Sequence, residues 1–213
     1  MSNDIALQAI NLVKHFSTGS SGVLGRATNI VQAVDGVSFT LPQGKTLGIV
    51  GESGCGKSTL ARLVTRLIEP SSGSVVLDGV DITNLSGKAL REMRRKLQII
   101  FQDPYSSLNP RHSIGQIIGD PMRIQGIVTR ANEKAEVQDL MQRVGLNPEH
   151  YNRYPHEFSG GQRQRIGIAR ALSLQPSVIV ADEPVSALDV SIQAQILNLL
   201  ENLQKDLGLS YVF

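Results

Sequence analysis

Apolar and polar positions alternate along two stretches near the amino end. From Ile5 to Leu12, and again from Val37 to Leu41, where Val37, Phe39 and Leu41 stand against Ser38 and Thr40, the spacing predicts half-buried strands. Such strands suit an antiparallel sheet solvated on one face. Between them, Ser17 to Ser21 and nearby glycines predict a mobile surface loop, because serine and glycine offer little to bury. Asp78-Gly79 falls between the short apolar runs of Ser74 to Ile82, a hairpin signal that extends the antiparallel part.

Thr46 to Val50, Leu97 to Phe101 and Val178 to Ala181 show no alternation. They are short, nearly continuous apolar runs, as expected of strands covered on both faces in a parallel core sheet. Between Asp103 and Gln175 strand signals vanish. There Val137, Leu140, Met141 and Val144 fall at i, i+3, i+4 and i+7, with Gly145 placed to end the helix, so the stretch predicts a helical lobe. Ile192, Ile196, Leu199, Leu200 and Leu203 make another helical stripe, closed by Gly208 before Leu209 to Phe213 begins a new strand.

Composition narrows the class. A chain of 213 residues buries roughly 70% of its unfolded surface, enough for one domain with two subregions. The formal net charge of +2 is too mild to imply nucleic acid, which demands a concentrated basic face, and composition alone leaves the partner open; no nucleic-acid partner is expected. Cys55 is the single cysteine, which excludes an internal disulfide and points to a reducing setting. The amino end lacks the basic and apolar regions of a signal peptide, and no apolar run approaches the roughly 20 residues that cross a bilayer. Any membrane role is expected to come through a partner.

Three motifs carry chemistry. Gly51-Glu-Ser-Gly-Cys-Gly-Lys57-Ser58 matches the phosphate-loop pattern in full and lies between an apolar strand and a helical pattern beginning near Thr59. Gly51, Gly54 and Gly56 let backbone N–H groups turn toward phosphates, and the following helix adds its positive end. Lys57 supplies a point charge, and the Ser58 hydroxyl is suited to Mg²⁺. Ser53, Cys55 and Thr59 belong to the same nucleotide-contacting stretch. Cys55 reads first as a small loop residue, with redox sensing as the second option.

Asp182 and Glu183 end the Val178 strand, where ligands gather in open α/β sheets. Asp182 is the candidate Mg²⁺ partner, and Glu183 the candidate base for an attacking water. Adjacent strand residues point opposite ways, so a solvent-exposed strand terminus is the competing reading. The third motif, Ser159-Gly160-Gly161-Gln162, opens a helix running through Ile166, Ala169 and Leu172. It reads alone as a capped helix start and, beside the other two, as a second anion site.

In that order the three motifs resemble the ATP-binding cassette family over nearly the whole chain. The resemblance implies an α/β phosphate-loop NTPase of one domain, residues 1–213, with a parallel core sheet, an antiparallel β-subdomain and an inserted helical subdomain at about 103–175. It implies ATP and Mg²⁺ as ligands. It also implies head-to-tail pairing with a second cassette, identical or homologous, whose nucleotide is capped by Ser159, Gly160, Gly161 and Gln162. By the same likeness Gln102 senses Mg²⁺ and the attacking water, and Ser186-Ala-Leu-Asp189 signals across the dimer. Phe16 sits where the family places a ring against adenine, although a lone aromatic is more often core.

The run Gln102-Asp-Pro-Tyr-Ser-Ser-Leu-Asn-Pro-Arg111 looks like the ATPase subunits of peptide, nickel and glutathione importers. That likeness implies permease subunits as partners, a solute-binding protein as an indirect one, and a peripheral place on the cytoplasmic face of the inner membrane. Arg94-Arg-Lys96 reads as a solvated helix end. His15, His112, His150 and His156 lack ligand spacing and are assigned to surface or packing. The family continues past Phe213 to a histidine that contacts the γ-phosphate. A chain truncated at its carboxyl end is therefore expected, one that binds MgATP and hydrolyses it poorly. Two other readings compete: a non-catalytic nucleotide-binding fragment, and a soluble cassette ATPase of DNA repair or translation.

Overall fold

The computed structural model describes residues 4–18 and 29–213. Strands β1 (Ile5–Thr18) and β2 (Asn29–Pro42) pair antiparallel, and β1 pairs on its other side with β4 (Ser72–Leu77), which turns back into β5 (Val80–Asp81). The order β2-β1-β4-β5 is the antiparallel sheet that alternation predicted. Asp78 and Gly79 both take left-handed φ, 48° and 78°, the twist a two-residue hairpin requires. β1 and β2 run further than the predicted stretches. Asn11, at φ 47°, absorbs a register shift, and its N–H donates to Ser38 Oγ at 2.8 Å, so pairing continues past the break in alternation. Ser17 and Thr18, expected in a loop, therefore belong to β1; Gly19 to Ser21 lie outside the described residues.

The second sheet is parallel, ordered β3-β8-β7-β6, from β3 (Thr46–Leu47), β6 (Leu97–Ile100), β7 (Val178–Ala181) and β8 (Ser210–Val212). β7 is buried throughout, and its alternation divides the molecule into two cores. Val178 and Val180 pack with Leu97, Val212 and α1 (Lys57–Val64) under the antiparallel sheet, whereas Ile179 packs with Ile100, Tyr211 and the helices. β3 departs from expectation. Expected as a strand covered on both faces, it is short and half-exposed, and Val50 just beyond it is 97% exposed. As the sheet's edge it has one strand neighbour, although Ile49 N–H still donates to the Phe213 carbonyl at 2.6 Å.

Two further helices flank the parallel sheet, α2 (Gly87–Lys96) and α6 (Val190–Leu207), the latter ended by Gly208 in left-handed conformation. α6 buries Ile196, Leu200 and Leu203 from the predicted stripe. The basic end of α2 is less solvated than expected. Lys96 pairs with Asp78 at 3.1 Å, and Arg94 is half-buried, donating to the Arg66 carbonyl. The sequence reading did not resolve α3 (Ile114–Ile124), started by a Ser113–Gln116 capping box. With α4 (Glu133–Arg143) and α5 (Gly160–Leu172) it encloses Ile118, Met141, Val144 and Ile166, all fully buried. His112 lies 3.3 Å from Asp120, and His150 packs edge-on to Phe158.

Met141 belongs to a buried cluster that runs from the lobe to Ile100, Ile179 and Tyr211 of the parallel sheet, so its truncation tests whether the two unfold together. Met141→Ala is expected to lower unfolding free energy by about 2–5 kcal/mol in urea titration, in a single transition. A second transition would separate the lobe as an independent unit.

Candidate nucleotide-binding site

The loop between β3 and α1 is exposed from Gly51 to Cys55, and Cys55 carries a free thiol. Gly54 takes φ 81° and faces open space, while Gly56 takes φ 100° with its α-carbon pressed on β2: a β-carbon there would lie 2.1 Å from the Ala33 carbonyl oxygen. Gly56 caps α1 without any side-chain bond, and the first turn holds no acidic residue, so the helix presents uncompensated N–H dipoles to the loop. Lys57 folds back, its amine donating to the carbonyls of Gly51 and Glu52 at 2.8 and 2.9 Å. Ser53 is exposed, and Thr59 is half-buried within α1.

Both carboxylates after β7 face this loop. Ser58 Oγ donates to Asp182 Oδ1 at 2.9 Å, and Asp182 is 8% exposed. Glu183 Oε1 lies 3.5 Å from the Lys57 amine, while its Oε2 accepts from Gln102 Nε2 at 2.7 Å. A continued strand would send neighbours to opposite faces. β7 instead stops at Ala181, and Glu183 adopts φ 44°, a left-handed conformation uncommon for a non-glycine residue. That turn brings both carboxylates to the side chains of Lys57 and Ser58. Gln102 also reaches Ser186 Oγ at 3.4 Å, so the segment at Ser186 joins the same cluster.

Ser159, Gly160, Gly161 and Gln162 make no recorded hydrogen bond to residues 51–59 among the described residues. Their contacts run elsewhere in the chain. Ser159 and Gln162 cap each other: Gln162 N–H donates to Ser159 Oγ at 3.4 Å, and Ser159 N–H to Gln162 Oε1 at 3.0 Å. A β-carbon on Gly161 would lie 2.5 Å from the Ile192 Cγ2 of α6, so a side chain there would require that methyl to shift. Phe16 is exposed on β1, beneath the Lys14 amine and in register with Val31 of β2, the strand whose Ala33 touches Gly56.

Known proteins match this arrangement. The model of the ABC transporter family matches residues 34–186, from β2 through the loop, the Ser159 helix and both carboxylates. The chain belongs to the ABC transporter family. It is 54% identical over 202 residues to the oligopeptide transport ATP-binding protein AppF of Bacillus subtilis, covering 94% of this chain and 61% of that protein. With the dipeptide transport ATP-binding protein DppF of Escherichia coli it shares 53% over 207 residues, covering 97% of the chain and again 61% of the relative. The chain thus spans about three-fifths of the length of these relatives. Among solved structures, the dimeric ATP-binding cassette MJ0796 bound to ADP and phosphate superposes with a TM-score of 0.83 at 28% identity, covering 97% of this chain and 86% of that one.

For this ABC cassette the two loop glycines separate into different roles. Gly56→Ala adds a clash with the Ala33 carbonyl to left-handed strain and is expected to destabilise the fold by about 3 kcal/mol or more in thermal or urea unfolding, whereas Gly54→Ala, facing open space, carries the strain alone, about 1–3 kcal/mol. Equal losses at both positions would contradict the close approach of Gly56 to β2.

Proposed function

We propose that the chain is the ATP-binding and ATP-hydrolysing part of a subunit that powers import of peptides or related small solutes through a membrane permease. The observation that carries this reading is the convergence of Lys57, Ser58, Gln102, Asp182 and Glu183 at one sheet end. The relatives' transport of oligopeptides and dipeptides supports the solute class. Among the described residues no helix is long and apolar enough to cross a membrane, which accords with a partner that supplies the pore.

In this reading the amides of residues 51–56 and the amino end of α1 bind the β- and γ-phosphates, and Lys57 exchanges its carbonyl partners for phosphate oxygens. The Ser58 and Asp182 oxygens, 2.9 Å apart, suit Mg²⁺, a hard cation that takes oxygen ligands. Ser58 would bind the ion directly and Asp182 and Gln102 would complete its surroundings; bound there, it would neutralise phosphate charge. Glu183 takes the proton of the attacking water, and Gln102, bonded to that carboxylate, orients the water beside it. Phe16 supplies a ring face to adenine.

Ser159, Gly160, Gly161 and Gln162 serve the nucleotide of a second cassette, identical or homologous, in a head-to-tail pair. Among the described residues they make no hydrogen bond with residues 51–59, and MJ0796 is a dimer. The pair docks on permease subunits at the cytoplasmic face of the membrane, and a solute-binding protein acts on it indirectly.

Glu183→Gln keeps the shape of the side chain and its contact with Gln102 while removing the base. It is expected to bind a fluorescent ATP analogue within a few-fold of wild type and to release phosphate about 10²–10⁴ times more slowly. Near-normal turnover would remove Glu183 from this role.

A further inference from the structure

Two arginines of α5 that the proposed reaction does not use grip the loop carrying Gln102. Arg163 and Arg170 lie two turns apart, on one face of the helix. The Arg163 guanidinium stands 4.0 Å from the centre of the Tyr105 ring, and its Nε donates to the Pro155 carbonyl at 2.8 Å. Arg170 Nη1 donates to the Ser107 carbonyl at 2.5 Å, and its guanidinium lies 5.9 Å from the Phe101 ring centre. Gln102 thus sits between two residues, Phe101 and Tyr105, whose rings each face an arginine of the same helix.

The environment of Arg170 sharpens this. It forms no ion pair among the described residues, and burial pushes its pKa below the ordinary arginine value. A guanidinium stripped of water without a carboxylate is costly unless carbonyls and ring faces replace the lost hydration. Here the loop supplies both, so helix and loop hold each other. The loop is stiffened from within as well: Asp103 accepts the Tyr105 N–H at 2.7 Å, and its carbonyl accepts the Ser107 N–H at 3.3 Å.

We propose that Arg170 and Arg163 are positioning residues for Gln102: they fasten residues 101–107 to the helix that begins at Ser159, so that Gln102 stays bonded to Glu183. The proposal rests on the ATPase reading of those two side chains. It assigns the arginines no contact with ATP. Their loss therefore frees the loop and slows turnover without weakening nucleotide binding.

Amide hydrogen exchange and steady-state ATP hydrolysis on the same chain test this, with Arg170→Met, Tyr105→Ala and Tyr105→Phe. In Arg170→Met and Tyr105→Ala, residues 101–107 are expected to exchange about fivefold or more faster, with α1 unchanged. In the same variants kcat falls about tenfold or more, while KM for ATP stays within about twofold. Tyr105→Phe keeps the ring over Arg163 and behaves as wild type. Unchanged exchange at 101–107 overturns the proposal, and so does a loosened loop with full kcat. If Arg170→Met loosens the whole chain, Tyr105→Ala decides, because that ring is 62% exposed and its removal leaves the core intact. A wild-type chain that neither binds nor hydrolyses ATP would overturn the ATPase reading instead, and exchange alone would then decide whether the arginines hold the loop.

Discussion

The site depends on a reversal of the backbone just after β7. Glu183 occupies the left-handed region at φ 44°, a conformation that costs on the order of 1–3 kcal/mol for a side-chain-bearing residue. The bonds it makes possible offset that cost. With the turn in place Asp182 meets Ser58 while Glu183 meets Lys57 and Gln102; without it the two carboxylates would diverge across the sheet. Backbone pairing joins the ends of β6 and β7, where Asp182 N–H donates to the Ile100 carbonyl at 2.9 Å, and side chains bind the glycine loop to them.

The parallel sheet makes that convergence rigid. β7 is buried on both sides, and its period of two sends Val178 and Val180 toward the antiparallel sheet and Ile179 toward the helices. Hydrophobic burial on each face fixes the strand's rotation, since a slip of one residue would exchange the two cores. With rotation and register set, the carboxyl ends of β6 and β7 lie level, Ile100 opposite Ala181, and Gln102 and Glu183 emerge beside one another. The geometry of the site is thus a consequence of packing some distance beneath it.

The glycines at 160 and 161 illustrate a double constraint. They open α5, where the Ser159–Gln162 capping box satisfies the N–H groups of Ser159 and Gln162, and Gly161 packs so close to Ile192 that a β-carbon would displace its methyl. A capped start and close packing against α6 therefore meet at one end of the helix. The same helix carries Arg163 and Arg170 further along, so a single element presents glycines at its start and holds the Gln102 loop along its flank.

Much of this was legible in the sequence because it is local. Alternation marked the antiparallel strands, continuous apolar runs marked β6 and β7, Asp78-Gly79 marked its hairpin, and the spacing of Gly51 to Ser58 marked the phosphate loop, each within a window of a few residues. Tertiary structure alone decided what depends on distant partners. It carried β1 past Leu12 through the bulge at Asn11, left β3 as a half-exposed edge despite its apolar run, and drew Arg94 and Lys96 onto neighbours. It turned Glu183 back toward Lys57, and it set Arg163 and Arg170 over Tyr105 and Phe101, some sixty to seventy residues away in sequence. Periodicity records which face of an element is buried, because that is a property of neighbouring positions; which side chain meets which across the fold is settled only when the elements pack.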